Sequence, residues 1–136
     1  MYHFNKVSPE LFLNKLEFAQ SNRKVVMEAT TPVKGITDHH GVTYYLASSN
    51  DFRGRKYPCS MGYAIGMTGE LTSVWSMFKG HGANLMLSAL ANGARHLGCF
   101  DGYLTTFYNR FGFKETSREA NWTPGEPDIV YMTFNL

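Results

Sequence analysis

The chain has 136 residues, of which 43% are hydrophobic and 15% aromatic, and its formal net charge is +2. These values fit a single folded domain over residues 1–136 with a substantial core. They exclude a nucleic-acid-binding arm or an acidic tail, because no run of five like charges occurs. No apolar run approaches the roughly 20 residues of a membrane helix, and the first residues lack a signal peptide's apolar stretch. Cys59 and Cys99 are too few for a disulfide framework, so we expect a soluble, cytoplasmic protein with reduced thiols.

The first half of the chain predicts one helix followed by strands. Ser8, Pro9 and Glu10 have the N-cap, first-turn proline and first-turn acid of a helix of about three turns. Residues 24–30 and 42–47 are rich in β-branched and aromatic types, which predicts two strands joined by a loop. The polar segment 48–59 is predicted to be a solvated loop.

The middle of the chain predicts a hairpin, a glycine-containing turn and a long helix. Residues 60–65 and 70–76 read as paired strands. Residues 83–97 carry apolar side chains at helical spacing, and Gly98 is placed to end that helix. A very short strand at residues 99–101 follows.

The last third predicts a helix at residues 104–111 and a final hairpin of strands at 114–121 and 129–134. The order of elements predicts an α+β fold: a mostly antiparallel mixed sheet with helices on both faces and one βαβ crossover. The last strand is apolar enough to pair across a homodimer.

Gly80 and Gly82 stand between a predicted strand and a predicted helix. Glycines there let a ligand approach the backbone, and the unpaired N–H groups and positive dipole end of a helix favour an anion. The spacing matches neither the dinucleotide fingerprint nor the Walker pattern. A tight strand-to-helix turn without a ligand is the alternative interpretation.

Residues 77–85 (MFKGHGANL) and residues 107–113 (FYNRFGF) are two segments that resemble the GNAT family of N-acetyltransferases. Residues 77–85 are similar to its acyl-CoA pyrophosphate loop, Gln/Arg-x-x-Gly-x-Gly/Ala, with Met77 in place of Gln or Arg. Residues 107–113 are similar to its Tyr-x-x-x-Gly-Phe signature. They occur in the family's order, and the second also resembles small acetyltransferase-like proteins of phage genomes.

The resemblance implies transfer of an acetyl group from acetyl-CoA to a primary amine of an unknown acceptor, a small molecule or a protein. A backbone N–H near Val74, freed by a bulge, would face the oxyanion, and Tyr108 would protonate the leaving sulfur. Glu70 and Asp101 are the preferred candidate bases, ahead of Glu28. The cofactor-binding residues it implies are Val74, Trp75, Ser76, Met77, Phe78, Lys79, Gly80, His81, Gly82, Ala83, Asn84 and Tyr108.

Each assignment has an alternative. Tyr108 could equally be a packed helix tyrosine without a catalytic role. The candidate bases could be solvated turn residues or helix caps. Cys99 is interpreted as an inert buried thiol, no metal site is expected, and Trp122 could line an acceptor pocket. At the level of the whole protein, the alternatives are a non-catalytic acyl-CoA-binding or protein-interaction module and, less favoured by the mild charge, a nucleic-acid-modifying enzyme.

Overall fold

Strands and helices alternate along this computed structural model, which describes residues 2–50, 56–57 and 61–134. In chain order the elements are β1 (Tyr2–Val7), α1 (Pro9–Asn22), α2 (Lys24–Ala29), β2 (Thr43–Asn50), β3 (Lys56–Tyr57), β4 (Met61–Ile65), β5 (Leu71–Ser76), α3 (Gly82–Ala91), β6 (His96–Phe100), α4 (Tyr103–Asn109), β7 (Phe113–Glu119) and β8 (Ile129–Phe134). A 3-10 turn, Val33–Gly35, lies in the loop after α2.

The strands form two sheets. The first has the order β1-β2-β4-β5, with β3 paired to β2, and the second has the order β6-β8-β7. All ladders are antiparallel. The connection from β5 through α3 to β6 is the one parallel crossover among the described residues, marked by the parallel bridge between Glu70 and His96. The predicted fold class and both predicted hairpins are therefore confirmed.

Helices cover both faces of the first sheet, because successive side chains of its strands point to opposite faces and both sets include apolar residues. Tyr44 and Leu46 pack with helices α1 and α2 on one face, while Tyr45 and Ala47 join the core under α3 on the other. The second sheet contributes its own buried side chains to the α3 core, namely Leu97, Phe113, Val130 and Met132. Side chains of α3 and of both sheets thus belong to one core cluster.

The strand predicted at residues 24–30 is wrong, because this segment forms helix α2. Val26 is buried among the apolar side chains of α1. The Gln20 side-chain amide of α1 donates to Thr30 Oγ1 at 3.0 Å and to the Thr31 carbonyl at 2.8 Å, which ties the end of α2 to α1. Tertiary packing of this kind outweighs the weak local preference of β-branched residues.

Helix α3 ends six residues before its predicted end. Gly93 has a φ of 100° and donates to the Leu90 carbonyl at 3.2 Å, while the Ala94 N–H donates to the Ala89 carbonyl at 2.9 Å. These two bonds form a Schellman cap. The prediction missed it because Gly93 fits the apolar stripe of the helix, and Leu97, also counted in that stripe, belongs to β6.

Two further predictions fail at the edges of the first sheet. Strand β1 was not predicted, because its residues mix polar and apolar types without a clear period. The polar segment predicted as a loop begins inside β2, which continues to Asn50, and β3 pairs with it. The rest of that segment, residues 51–55 and 58–59, lies outside the described residues, as does residue 60 of the next predicted strand.

Strand β8 does not offer an edge to a second copy of the chain. It pairs with β6 on one side and with β7 on the other. A strand with both edges occupied cannot extend a sheet across a dimer. The prediction that residues 129–134 pair across a homodimer is therefore wrong, because their apolar character is that of a central strand.

Candidate functional site

The feature that organises the site is the gap between β5 and β6. These neighbouring parallel strands meet at the Glu70–His96 bridge, where the Gly69 carbonyl accepts from the N–H groups of Arg95 at 2.8 Å and His96 at 3.3 Å. Beyond this point no ladder joins them in the part of the chain that the structure describes. Each strand is the last of its own sheet, so unpaired backbone groups of both strands face the gap.

A β-bulge bends β5 beside the gap. Gly62 pairs with Trp75 and Ala64 pairs with Thr72, so that the single residue Tyr63 faces two residues, Ser73 and Val74. Ser73 has a φ of 50°, the one positive φ among the described non-glycine residues. A bulge with its first residue in the left-handed region strengthens the local twist and takes a backbone group out of the ladder.

The loop after β5 leads into the N-terminus of α3. The first hydrogen bond of the helix runs from the Leu85 N–H to the His81 carbonyl at 3.1 Å, so the amides of Gly82, Ala83 and Asn84 precede its ladder. Lys79 is exposed in the same loop, and Gly80, with a φ of 90°, has open space beside it. Helix-start amides, the positive dipole end and a lysine together suit an anionic group.

Other backbone groups of this loop form hydrogen bonds within the protein. The Phe78 N–H donates to Ser76 Oγ at 3.2 Å, and the Ser76 carbonyl accepts from Arg23 Nη1 at 2.6 Å. Trp75 is 3% exposed and packs edge-on against Phe12 on the α1 face, and Met77 joins the same cluster. The side chains of these two predicted cofactor-binding residues therefore point away from α3, which leaves their backbones to act at the gap.

Gly82 serves helix packing as well as the loop. A Cβ at this position would lie 2.5 Å from Phe107 Cε1 and 3.0 Å from Phe107 Cζ. The start of α3 therefore approaches α4 more closely than any residue with a side chain allows. The second glycine of the motif fixes the helix N-terminus relative to the helix that carries Tyr108.

Tyr108 is a buried phenol beside the gap. It is 8% exposed, lies edge-on to Phe107 and Phe113, and belongs to the same cluster as Val74 and Cys99. Burial, together with the neighbouring Cys99 and Tyr103, raises the pKa of Tyr108 well above its ordinary value of 10. The side chain is therefore a neutral O–H donor throughout the physiological range.

The Cys99 thiol sits near that phenol without the features of a nucleophile. Burial, followed by the charge of Asp101, raises the pKa of Cys99 to about 11. A thiol with a pKa this high is almost entirely protonated at pH 7, which matches its interpretation as inert.

The two preferred candidate bases lie at opposite ends of β6. Glu70 is exposed and lines a cavity of about 520 Å³ together with Ser73. Asp101 lines a different cavity, of about 640 Å³, together with Trp122, and its carboxylate accepts from Arg118 Nη1 at 3.1 Å. The structure thus brings Glu70, and not Asp101, next to the bulge.

Several residues around the site had no usable sequence signal. Ser73 looks like an ordinary strand residue, because its backbone conformation depends on the mismatch between β4 and β5. Ala29 and Thr30 line the Glu70 cavity from the end of α2, which the sequence placed in a strand. In the described part of the chain, no three histidine, cysteine or acidic side chains could hold a metal ion, and no helix is long and apolar enough to cross a membrane.

Comparison with known proteins identifies the fold. No family model matches the sequence, and no curated protein matches it. Solved structures do match. A chimeric spermidine N-acetyltransferase from Vibrio cholerae superposes with a TM-score of 0.64 at 12% identity, covering 98% of this chain and 94% of that one. A putative GNAT-family acetyltransferase from Desulfovibrio desulfuricans superposes with a TM-score of 0.60 at 15% identity, covering 97% of both chains.

A third match is the Escherichia coli N-acetyltransferase that acts on an alanine of a ribosomal protein, with a TM-score of 0.63, 13% identity, and coverage of 98% of this chain and 93% of that one. The protein therefore has the GNAT acyltransferase fold over nearly all of its length, as the resemblance implied.

We predict that the bulge depends on Ser73 accepting a left-handed backbone. Ser73→Val should lower the free energy of unfolding by about 1–2 kcal/mol, because β-branched residues tolerate positive φ poorly. Thr72→Val, one residue earlier in extended backbone, should change it by less than about 0.5 kcal/mol. Urea denaturation of both variants measures the difference, and equal losses would contradict the assignment of strain to Ser73.

We also predict that Gly82 is required for the approach of α3 to α4. Gly82→Ala should cost about 1–3 kcal/mol of stability, because the added methyl overlaps the Phe107 ring. Phe107→Ala removes that ring, so the same glycine substitution made in the Phe107→Ala background should cost much less. A double-mutant cycle by thermal denaturation gives the coupling, and additive effects would show that the contact does not limit this site.

Proposed function

We propose that the protein is an N-acetyltransferase that moves an acetyl group from acetyl-CoA to a primary amine. The observation that carries this proposal is the gap between the parallel strands β5 and β6, with a bulge in one wall and the N-terminus of α3 at its end. The names of the matching structures, which include N-acetyltransferases of spermidine and of a ribosomal-protein alanine, support amine chemistry on this fold.

The residues present suit a CoA thioester. The amides of Gly82, Ala83 and Asn84, with Lys79, offer backbone donors and one positive charge to a diphosphate. The backbone of residues 74–76 belongs to the edge strand β5 beside the gap and would hold the pantetheine arm by strand-like hydrogen bonds. Acetyl-CoA supplies an acetyl group activated as a thioester.

Acyl transfer then needs an oxyanion donor, an acid and a base, each of which the chain can supply. The amine nitrogen bonds to the acetyl carbon as the carbon–sulfur bond breaks, so nitrogen must lose a proton and sulfur must gain one. A backbone N–H at the Ser73–Val74 bulge would stabilise the negative charge that develops on the carbonyl oxygen. Because paired residues of β5 on both sides of the bulge hold this N–H in place, little reorganisation is needed.

Tyr108 would protonate the departing sulfur. Its raised pKa keeps the proton on the phenol at every pH at which the amine reacts, so it can act as a donor. Glu70, exposed in the cavity that contains Ser73, is the favoured group to accept the amine proton, directly or through water. Asp101 is the weaker candidate, because Arg118 and Thr105 already hydrogen-bond its carboxylate.

We predict that Tyr108→Phe lowers kcat by at least about 100-fold while the Kd for CoA stays within a factor of two, because the substitution removes the acid and keeps the ring. Steady-state CoA release and calorimetric CoA titration measure the two quantities. The matched control is Tyr44→Phe, which removes a hydroxyl that contacts His39 Nδ1 at 2.6 Å in the α1 cluster, away from the gap.

The wild-type kcat should also show no loss between pH 8 and pH 10 from ionisation of Tyr108, since burial raises its pKa above that range. Unchanged turnover in Tyr108→Phe would remove this residue from the mechanism. CoA binding without release of CoA in the presence of any amine would instead favour a non-catalytic acyl-CoA-binding module.

A further inference from the structure

A second cavity adjoins the gap and has a distinct chemistry. It has a volume of about 640 Å³ and lies between α2, the end of β6, the start of α4 and the loop before β8. Its walls carry three aromatic side chains and three carboxylates, namely Phe100, Tyr103, Trp122, Glu28, Asp101 and Glu126. Its volume is that of a small-molecule site.

The aromatic side chains are left in contact with solvent. Trp122 is 78% exposed, Tyr103 is 59% exposed and Phe100 is also exposed, although a folded chain gains free energy by burying such groups. Three large exposed rings around one concave surface are unusual for scattered surface residues. The faces of tryptophan and tyrosine rings attract cations, above all where water is partly excluded.

The charges of the lining residues favour the same ligand, although Arg23, whose guanidinium donates to the Ser76 carbonyl, lies near Tyr103. Among the described residues, its lining includes no lysine, arginine or histidine. Asp101 is paired with Arg118, and Glu28 pairs at 3.6 Å with a largely exposed Lys24, a contact that solvent screens. Glu126 has no ion-pair partner in the part of the chain that the structure describes. The lining therefore offers carboxylates to a positively charged group.

The loop that presents Trp122 is held in place before any ligand arrives. Asn121 Nδ2 donates to the Pro127 carbonyl at 3.0 Å, and Asn121 Oδ1 accepts from the Thr123 N–H at 2.9 Å. The Asp101 N–H donates to the Asp128 carbonyl at 2.9 Å, which joins the loop to the end of β6. A preformed wall of this kind lowers the entropic cost of binding.

The cavity also lies next to the group proposed to protonate sulfur. Leu104 lines the cavity one helical turn before Tyr108, and Tyr103 is close enough to contribute to the raised pKa of Tyr108. A molecule that fills the cavity would therefore extend its other end toward Tyr108, past Tyr103 and Leu104. The amine that attacks the thioester must be neutral, whereas rings and carboxylates hold a protonated amine, so the two functions need two amino groups.

We propose that the acceptor is a small diamine or oligoamine, one of whose amino groups stays protonated between Trp122, Tyr103 and Glu126 while another attacks the acetyl group. This inference rests on the acetyl transfer proposed above. Binding of the cation in the cavity selects acceptors of a suitable chain length and orients them. The reaction itself takes place in the gap between β5 and β6.

The first test compares 1,4-diaminobutane with pentylamine, in which a methyl group replaces one amino group at equal chain length. CoA release should give a kcat/KM for the diamine about tenfold higher or more, the range expected for a partly desolvated cation on aromatic rings and a carboxylate. Equal kcat/KM values for the two amines would overturn the proposal. So would turnover of a peptide amine without turnover of the diamine.

The second test asks whether the preference for the diamine over pentylamine depends on the cavity. Trp122→Ala and Glu126→Gln should each reduce the ratio of the two kcat/KM values at least about threefold, and Trp122→Phe should restore most of it. The matched control is Glu17→Gln, which removes a carboxylate from an exposed position on α1, outside the cavity. A ratio that stays the same in Trp122→Ala would overturn the assignment.

Calorimetric binding of 1,4-diaminobutane to the protein with CoA present separates this inference from the transferase itself. Binding that Trp122→Ala weakens and Glu17→Gln does not, without acetyl transfer to any amine, would uphold the cation site and overturn the proposed function. Acetyl transfer to pentylamine as efficient as to the diamine, without measurable diamine binding, would uphold the proposed function and overturn the cation site.

Discussion

The structure depends on one constraint: β5 and β6 are neighbours that share a single bridge. The Gly69 carbonyl holds the strands together at one end by accepting two N–H groups from the start of β6. Past that point, within the described ranges, β5 pairs only with β4, and β6 only with β8. Two strand edges that face each other without pairing leave backbone donors and acceptors available to a third, extended partner, which is the form a pantetheine arm takes.

The packing of helices α3 and α4 places functional groups beside this gap. Gly82 lets the start of α3 touch Phe107, so the helix N-terminus and Tyr108 are fixed by one contact. Burial of Tyr108 then keeps its hydroxyl protonated. The contact between Gly82 and Phe107 thus positions the amides that could bind an anion, and the burial of Tyr108 keeps the group that could serve as an acid protonated.

The local patterns that the sequence predicted correctly are those with a local cause. The N-cap of α1 appears as expected, with Ser8 Oγ accepting from the Leu11 N–H at 3.2 Å. The hairpin of β4 and β5 turns at Gly69, whose φ of 91° requires glycine. The loop with two glycines lies between a strand and a helix, as the motif predicted. Each of these depends on residues within a few positions of one another.

The sequence by itself determined the order of strands and helices around the motifs, the α+β class and the resemblance to an acyltransferase. Only the tertiary structure decided that residues 24–29 are helical, that Ser73 is bulged and that Trp122 and Tyr103 line the same cavity. The physical reason is the range of the interactions. Caps and turns are set by neighbours in the chain, whereas the helix on α1, the mismatch between β4 and β5 and the walls of the cavity are set by residues that only folding brings together.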